Sequence, residues 1–346
     1  MTGENYKSAG VDLDAAVVAT KKIAALAKST FSADVASEIG AFGGIYRFPS
    51  GSGSLLLASA DGVGTKLKVA SATGIFNTVG QDLVNHCIND ILTLGAKPLF
   101  FLDYIGYSDL GPEEIASVVE GLSKACGENG VSLIGGETAQ MPGIYGSGEF
   151  DLVGFIVGTA VEERLITGSA ISAGDKLIAL VSNGLQTNGF SLARKVLLDS
   201  DAFAIDDRPE ELHGTSVGEA LLAIHPCYLK PVERLMESVQ ITGMAHITGG
   251  GLAGNFSRIL PEDCDAVFDV SKIPSPPIFE MIRKHGDIPS QEMFDVFNMG
   301  AGYVIAVKAS DAEPAMEILR EIQQNAVVFG GITHGNHKVI LKGLAD

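Results

Sequence analysis

The sequence predicts a two-domain α/β (α+β) fold, and three observations carry that expectation. At 346 residues the chain exceeds the length at which one hydrophobic core usually stays undivided. Apolar strand-like runs alternate with helix-like patches along both halves. The stretch EERLITGSAISAGD, 162–175, interrupts the alternation with small and turn-forming residues, which places a domain boundary there and gives domains of 1–168 and 169–346.

In the first half LLLASAD reads as a strand, followed by helices over 66–72 and 81–94, the strand PLFFLDYI, a helix over 112–127, and the strands VSLIGG and DLVGFIVGTAV. Runs this apolar, bounded by turn residues, suit strands buried on at least one face. The second half offers KLIALVS, a glycine loop, a helix through SLARKVLL, a helical region to about 240, MAHIT, a glycine run with a short helix, DAVFDV, YVIAVK, a further helix and the terminal strand VILKG. IPSPPIF reads as a loop.

Composition narrows the function. Lys+Arg 24 against Asp+Glu 42 leaves a formal charge of -18, which repels nucleic acid and anionic membrane surfaces. An anionic ligand must therefore be held by a local device: a metal ion, a helix N-terminus or a few basic side chains. Cys87, Cys126, Cys227 and Cys264 are far apart and form no zinc spacing, so free thiols in a reducing compartment are expected. The first residues carry charges where a secretory leader would be apolar, and LVGFIVGTAV stops at Glu162, too short for a membrane span. The expected compartment is the cytoplasm.

Chemistry gathers at a few corners. QDLVNHCINDILTL places Val84, Cys87, Ile88 and Ile91 on one helix face and Asp82, Asn85, His86 and Asn89 on the other, with Asp90 at the edge. A solvated face would hold Lys and Glu, so amides, imidazole and carboxylates there indicate ligand contact. ADGVGTK puts Asp61 at a strand end and Lys66 at a helix start, but lacks the glycine that a P-loop requires. In LIGGETAQ, Gly136, Glu137 and Thr138 follow an apolar strand. Asp61, Asp90 and Glu137 together suggest Mg²⁺ bound with nucleotide phosphates, which reconciles an acidic protein with an anionic ligand.

TNGFSLARK presents Asn188 and Ser191 near a helix start, where capping is the plainer alternative. TGGGLAG, with Gly249, Gly251 and Gly254, spells a dinucleotide-binding pattern on paper, yet its strand is short and it opens no domain. A phosphate held by glycine amides is the physical content common to both readings. His246, just before the run, reads equally as a core histidine or a functional one.

In order and spacing, YKSAGVDLDA, ADGVGTKL, QDLVNHCINDI, GAKPLFFLDY, LIGGETAQMPGIY, TNGFSLARK and AHITGGGLAGN resemble the phosphoribosylformylglycinamidine cyclo-ligases, also called aminoimidazole ribonucleotide synthetases. The resemblance runs from about residue 6 to the C-terminus. It implies ATP-dependent ring closure of formylglycinamidine ribonucleotide in purine biosynthesis, with Mg²⁺. It also implies an N-terminal domain for ATP binding and dimerisation, whose sheet forms a barrel across a homodimer, and a C-terminal domain on the substrate side.

By the resemblance, Asp61, Asp90 and Glu137 look like metal ligands. Gly10, Asp12, Gly43, Gly44, Asp61, Lys66, Asn89, Gly136 and Thr138 look like ATP contacts. Asn188, Ser191, Gly249, Gly250, Gly251 and Asn255 look like substrate contacts, and Lys66, Asp90 and His246 like catalytic groups. Many relatives carry histidine where this chain has Gln186, and an amide does not titrate near neutrality. Acid-base work is therefore assigned to His246. A non-catalytic nucleotide-binding regulator is the alternative from another class, against which the intact Asp61, Asp90, Glu137 and Lys66 argue.

Overall fold

A computed structural model describes Lys7, Ile23, Ala24 and residues 26–38, 42–48, 53–200 and 202–344. Gly10 and Asp12 lie outside the described residues. Contacts fall into two compact units that divide between Leu165 and Ile166.

The first unit is built on β1 (Gly44–Arg47), β2 (Ser54–Gly62), β3 (Lys97–Tyr107), β4 (Ser132–Gln140) and β5 (Phe150–Val161), in the order β1-β2-β5-β3-β4. Pairing is antiparallel except for β3 with β4. Helices α1 (Lys66–Thr73), α2 (Asn77–Leu92) and α3 (Pro112–Glu128) belong to this unit, and α2 packs on β2, β3 and β5. Strand alternation follows this one-sided cover: Leu152, Gly154, Ile156 and Gly158 of β5 are buried under the helix, while Phe155 and Val161 on the other parity are exposed.

Helix α2 meets α3 through glycines. A Cβ on Gly80 would stand 2.2 Å from the Val118 carbonyl oxygen, and one on Gly121 would stand 2.1 Å from that of Asn77, so neither position accepts a side chain without moving a helix. That close approach seats α2 deeply. Its whole length from Val79 to Leu92 is buried, including the polar side chains the sequence placed on one face.

The second unit holds β6 (Lys176–Val181), β7 (Ile241–His246), β8 (Cys264–Asp269), β9 (Ala301–Val307), β10 (Ala326–His334) and β11 (Val339–Lys342), in the order β11-β8-β10-β6-β9-β7. Its helices are α4 (Phe190–Leu197), α5 (Val217–Leu221), α6 (Leu229–Met236), α7 (Gly251–Phe256), α8 (Pro277–Gly286), α9 (Ser290–Val296) and α10 (Ala312–Glu321). Strand β9 is buried at every residue and pairs antiparallel with β6 and β7.

Two sequence expectations change, and a third reading that the sequence already discounted stays excluded. Part of IPSPPIF is helical, because Pro277 occupies the first turn of α8, where its missing N–H costs nothing. Strand β10, which the alternation missed, is a central strand. The glycine run does not open a dinucleotide-binding unit, since β7 lies at the sheet edge against antiparallel β9 and α7 spans only six residues.

Candidate functional sites in each unit

In the first unit, Asp61 and Asp90 converge with His86. Asp61 lies near the end of β2 and Ser59 two residues before it, so both project from one face toward α2. His86 Nε2 is 2.9 Å from Asp61 Oδ2 and 3.8 Å from Asp90 Oδ2, and Ser59 Oγ donates to Asp90 Oδ2 at 3.3 Å. One ligand atom from each of Asp61, His86 and Asp90 falls within 4.8 Å of the others. The Asp61 side chain is 46% exposed whereas His86 and Asp90 are buried, so the cluster opens to solvent through Asp61.

Asp82, His86 and Asp90 repeat at i, i+4, i+8 and form a stripe along α2. At its far end Lys66 Nζ meets Asp82 Oδ2 at 2.7 Å, with both side chains fully buried. The expectation that Lys66 offers its ammonium to a phosphate is corrected by this placement. At the first residue of α1 the side chain turns inward to Asp82, and the pair neutralises charge that the interior could not hold singly. Burial lowers the Lys66 pKa, and Asp82 opposes that shift.

Burial also acts to lower the His86 pKa, but Asp61, Asp90 and Asp82 outweigh it and raise the value to about 9. A folded-state value above the ordinary 6.5 means that this proton adds stability fully below pH 6.5, and the contribution fades as pH rises through 9. In metal-free protein the urea midpoint is therefore expected to fall between pH 7 and 9.5, with a flatter profile in His86→Gln; parallel profiles would contradict the shift.

The third expected metal ligand does not join this group. Cross-strand register aligns Asp61, Gly154, Asp103 and Gly136 in one row, while Glu137 shares the next row with Tyr104, Val153 and Gly62. Side chains alternate faces, so Glu137 projects from the opposite side of the sheet to Asp61, three strand spacings or about 14 Å away. Within one chain Glu137 is therefore corrected out of the Asp61–Asp90 set. Gly136, Glu137 and Thr138 sit on the exposed edge strand β4. Gly136 makes room for an acid the sequence reading passed over: its Cβ would stand 2.4 Å from Asp103 Oδ1. Asp103 is half-buried, and desolvation raises its pKa. Asn89 is fully buried in α2. Gly43 is buried where a Cβ would come within 3.5 Å of Ala58 and Ile91, and Gly44 opens β1.

In the second unit the two glycine corners meet. Asn188 Oδ1 lies 3.2 Å from the position of a Cβ on Gly249, and Asn188 Nδ2 donates to Thr187 Oγ1 at 3.2 Å. Ser191 is half-buried in the first turn of α4. Gly250 and Gly251 take φ of 92° and 62°, a left-handed backbone suited to glycine. Asn255 turns toward the glycine run itself. Fully buried, its Nδ2 donates to the carbonyls of Thr248, Gly249 and Gly251 at 3.2, 3.3 and 2.7 Å, and its Oδ1 accepts from Thr248 Oγ1 at 3.1 Å. It is a staple for the glycine run, and its expected substrate contact is corrected accordingly.

His246 ends β7 with no exposed surface and its Nε2 lies 3.1 Å from Nε2 of His225, which is equally buried. The expected direct acid-base contact with substrate is not what this geometry provides. Gln186, also buried, has φ of 62° and donates from Nε2 to Tyr228 Oη at 3.0 Å. Nothing in the local sequence of AIHPCY marked His225 or Tyr228; the sheet brings them in.

Two family models match, the AIR synthase related protein N-terminal domain over residues 40–160 and its C-terminal domain over 172–342. Proteins named phosphoribosylformylglycinamidine cyclo-ligase are similar over nearly their whole length. The one from Brevibacillus brevis is 43% identical over 99% of both chains, that from Syntrophotalea carbinolica 46% over 94% of both, and that from Myxococcus xanthus 46% over 96% of this chain and 97% of its own. Among solved structures, AaThiL complexed with AMPPCP and TMP covers 93% of this chain and 92% of its own at 15% identity with a TM-score of 0.65. A HypE–HypF complex covers 92% and 94% at 16% identity with a TM-score of 0.63, and these distant likenesses speak to the fold. With relatives above 40% identity along almost the entire sequence, the chain belongs to the phosphoribosylformylglycinamidine cyclo-ligase family and is a ligase.

Proposed function

We propose that the protein converts formylglycinamidine ribonucleotide to 5-aminoimidazole ribonucleotide, with ATP going to ADP and phosphate. The observation that carries this reading is the half-open Asp61–His86–Asp90 cluster in a chain of this family. ATP transfers its γ-phosphoryl group to the amide oxygen, and the amidine-side nitrogen of the same molecule attacks the activated carbon. Phosphate leaves with that oxygen. Holding both reacting ends in one bound molecule removes the entropic cost of encounter, and no covalent enzyme intermediate is needed.

Two carboxylates around one opening fit Mg²⁺, which is commonly held by one or two carboxylates together with nucleotide phosphates. Asp61 and Asp90 are the residues that would hold it, and when bound the ion would neutralise charge on the transferring phosphoryl group. His86 keeps the two carboxylates in place from behind. Three carboxylates, Asp61, Asp82 and Asp90, surround one lysine and one histidine here, an acidic excess that favours a cation at the mouth. Asn188, Ser191 and Gly249–Gly251 form the substrate side, and Asn89, Gly136 and Thr138 belong to the ATP side. Gly43 and Gly44 belong to its cover. His246 acts through His225 and not on substrate directly.

The homodimer is part of the same reading. Helices cover one face of the first sheet, while Tyr46, Phe155 and Val161 on β1 and β5, together with Ile134 on edge strand β4, are exposed. Such an apolar face suits a second copy of the same sheet closing a barrel.

Following ADP and aminoimidazole product together tests the function. Stoichiometric appearance of both, dependent on Mg²⁺ and on formylglycinamidine ribonucleotide, is expected. ADP release that ignores that substrate would overturn the assigned reaction.

A further inference from the structure

Both glycine corners of the second unit rest on one segment to which the substrate reading assigns no residue: Phe-Asp-Val-Phe-Asn-Met-Gly, 294–300. The Phe294 carbonyl oxygen lies 1.8 Å from the position of a Cβ on Gly251, so the glycine run lies directly against it. The Phe297 ring comes within 2.2 Å of a Cβ on Gly189, at the start of α4. Asn298, buried, accepts from Ser182 Oγ at 2.6 Å and donates from Nδ2 to the Gly184 carbonyl at 3.0 Å. Its Oδ1 also accepts from Gly300 N–H at 2.9 Å, and the Gly300 carbonyl accepts from Ser182 N–H at 2.8 Å.

Between these anchors Met299 holds φ of 49°, a left-handed conformation that is sterically unfavourable for a non-glycine residue. Such strain persists where the surroundings over-determine it. Here Asn298 pins one side, and Gly300, with φ of 103° and only 2.7 Å from its Cβ position to the Pro274 carbonyl oxygen, pins the other.

We propose that 294–300 is a brace that fixes the spacing of the two glycine corners, with Asn298 as its positioning residue. The inference rests on reading those corners as the substrate side. It makes them one mechanical unit: loosening the brace loosens 182–189 and 248–251 together, although Asn298 bonds only the first of them.

Hydrogen exchange on the full-length protein, with Asn298→Ala and the milder Ser182→Ala, tests this without any substrate. Faster exchange at both corners is expected in Asn298→Ala, and a smaller change of the same kind in Ser182→Ala, with peptides of α2 unchanged. Steady-state kinetics supply the second readout. The KM for formylglycinamidine ribonucleotide is expected to rise at least about tenfold, and the KM for ATP to stay within about twofold. Faster exchange confined to 182–189, or equal shifts in both KM values, would overturn the brace; if Asn298→Ala fails to fold, Ser182→Ala decides on the same criteria. Wild-type protein that does not cyclise the substrate would overturn the substrate reading alone, because the exchange comparison still decides the brace.

Discussion

Replacing Asp61 with asparagine is expected to lower kcat/KM for ATP by on the order of 10²-fold or more while leaving the fold intact, because one of the two carboxylates proposed to hold Mg²⁺ loses its charge. The substitution is nearly isosteric, and an asparagine oxygen still accepts from His86, whose Nε2 is 2.9 Å from the native carboxylate. The side chain is 46% exposed, so solvent screens its charge, and only part of the stability carried by the His86 proton is expected to be lost. The companion variant Glu137→Gln separates the two acids that the sequence could not. Glu137 projects from the opposite sheet face, so within one chain it cannot share an ion with Asp61 and Asp90. Raising Mg²⁺ is expected to recover part of the loss in Asp61→Asn. A variant with unchanged kcat/KM at limiting Mg²⁺ would remove Asp61 from the metal set.

The second large effect is on stability. Lys66→Met is expected to cost about 3–5 kcal/mol, because it leaves the fully buried Asp82 carboxylate without its ammonium partner. Adding Asp82→Leu is expected to return most of that loss, since replacing a buried ion pair by apolar groups of similar volume is often close to neutral. Urea unfolding of the single and double variants measures both. A single variant within about 1 kcal/mol of wild type would mean that the lysine is not committed to Asp82 and would restore it as a phosphate contact.

Much of the architecture was legible because it follows from patterns that the backbone itself imposes. The apolar run from Ser54 and the alternation of Phe150–Val161 mark strands with one covered face, and that is how they lie. The polar face of α2 was legible as unusual, and its Asp82, His86 and Asp90 do form the buried stripe. What stayed hidden needed the third dimension. Whether Glu137 faces Asp61 depends on register across four strands, a parity that LIGGETAQ does not contain. Lys66 reads as a surface or phosphate lysine until the inward turn at α1 brings Asp82 to it.

Glycines misled in both directions. In β10 the pair Gly330–Gly331 looks like a breaker, yet a Cβ on Gly330 would stand 2.5 Å from the Val267 carbonyl oxygen, so the residue is small because the sheet packs tightly there. Gly136, expected among the ATP contacts, has the Asp103 side chain of the neighbouring strand packed against it. Asn255 carried the opposite lesson: an amide beside a glycine run looks like a ligand contact, but here its hydrogen bonds go to the run itself.

The transfer of phosphate to the amide oxygen is the centre of the proposed chemistry, and labelling that oxygen tests it most directly. Formylglycinamidine ribonucleotide carrying ¹⁸O in its amide group is incubated with the protein and Mg-ATP, and the released phosphate is examined by ³¹P NMR for the isotope shift. One labelled oxygen in phosphate for each aminoimidazole ring formed is the predicted result. Unlabelled phosphate alongside ring formation would mean that the oxygen leaves by another route, and would contradict the account.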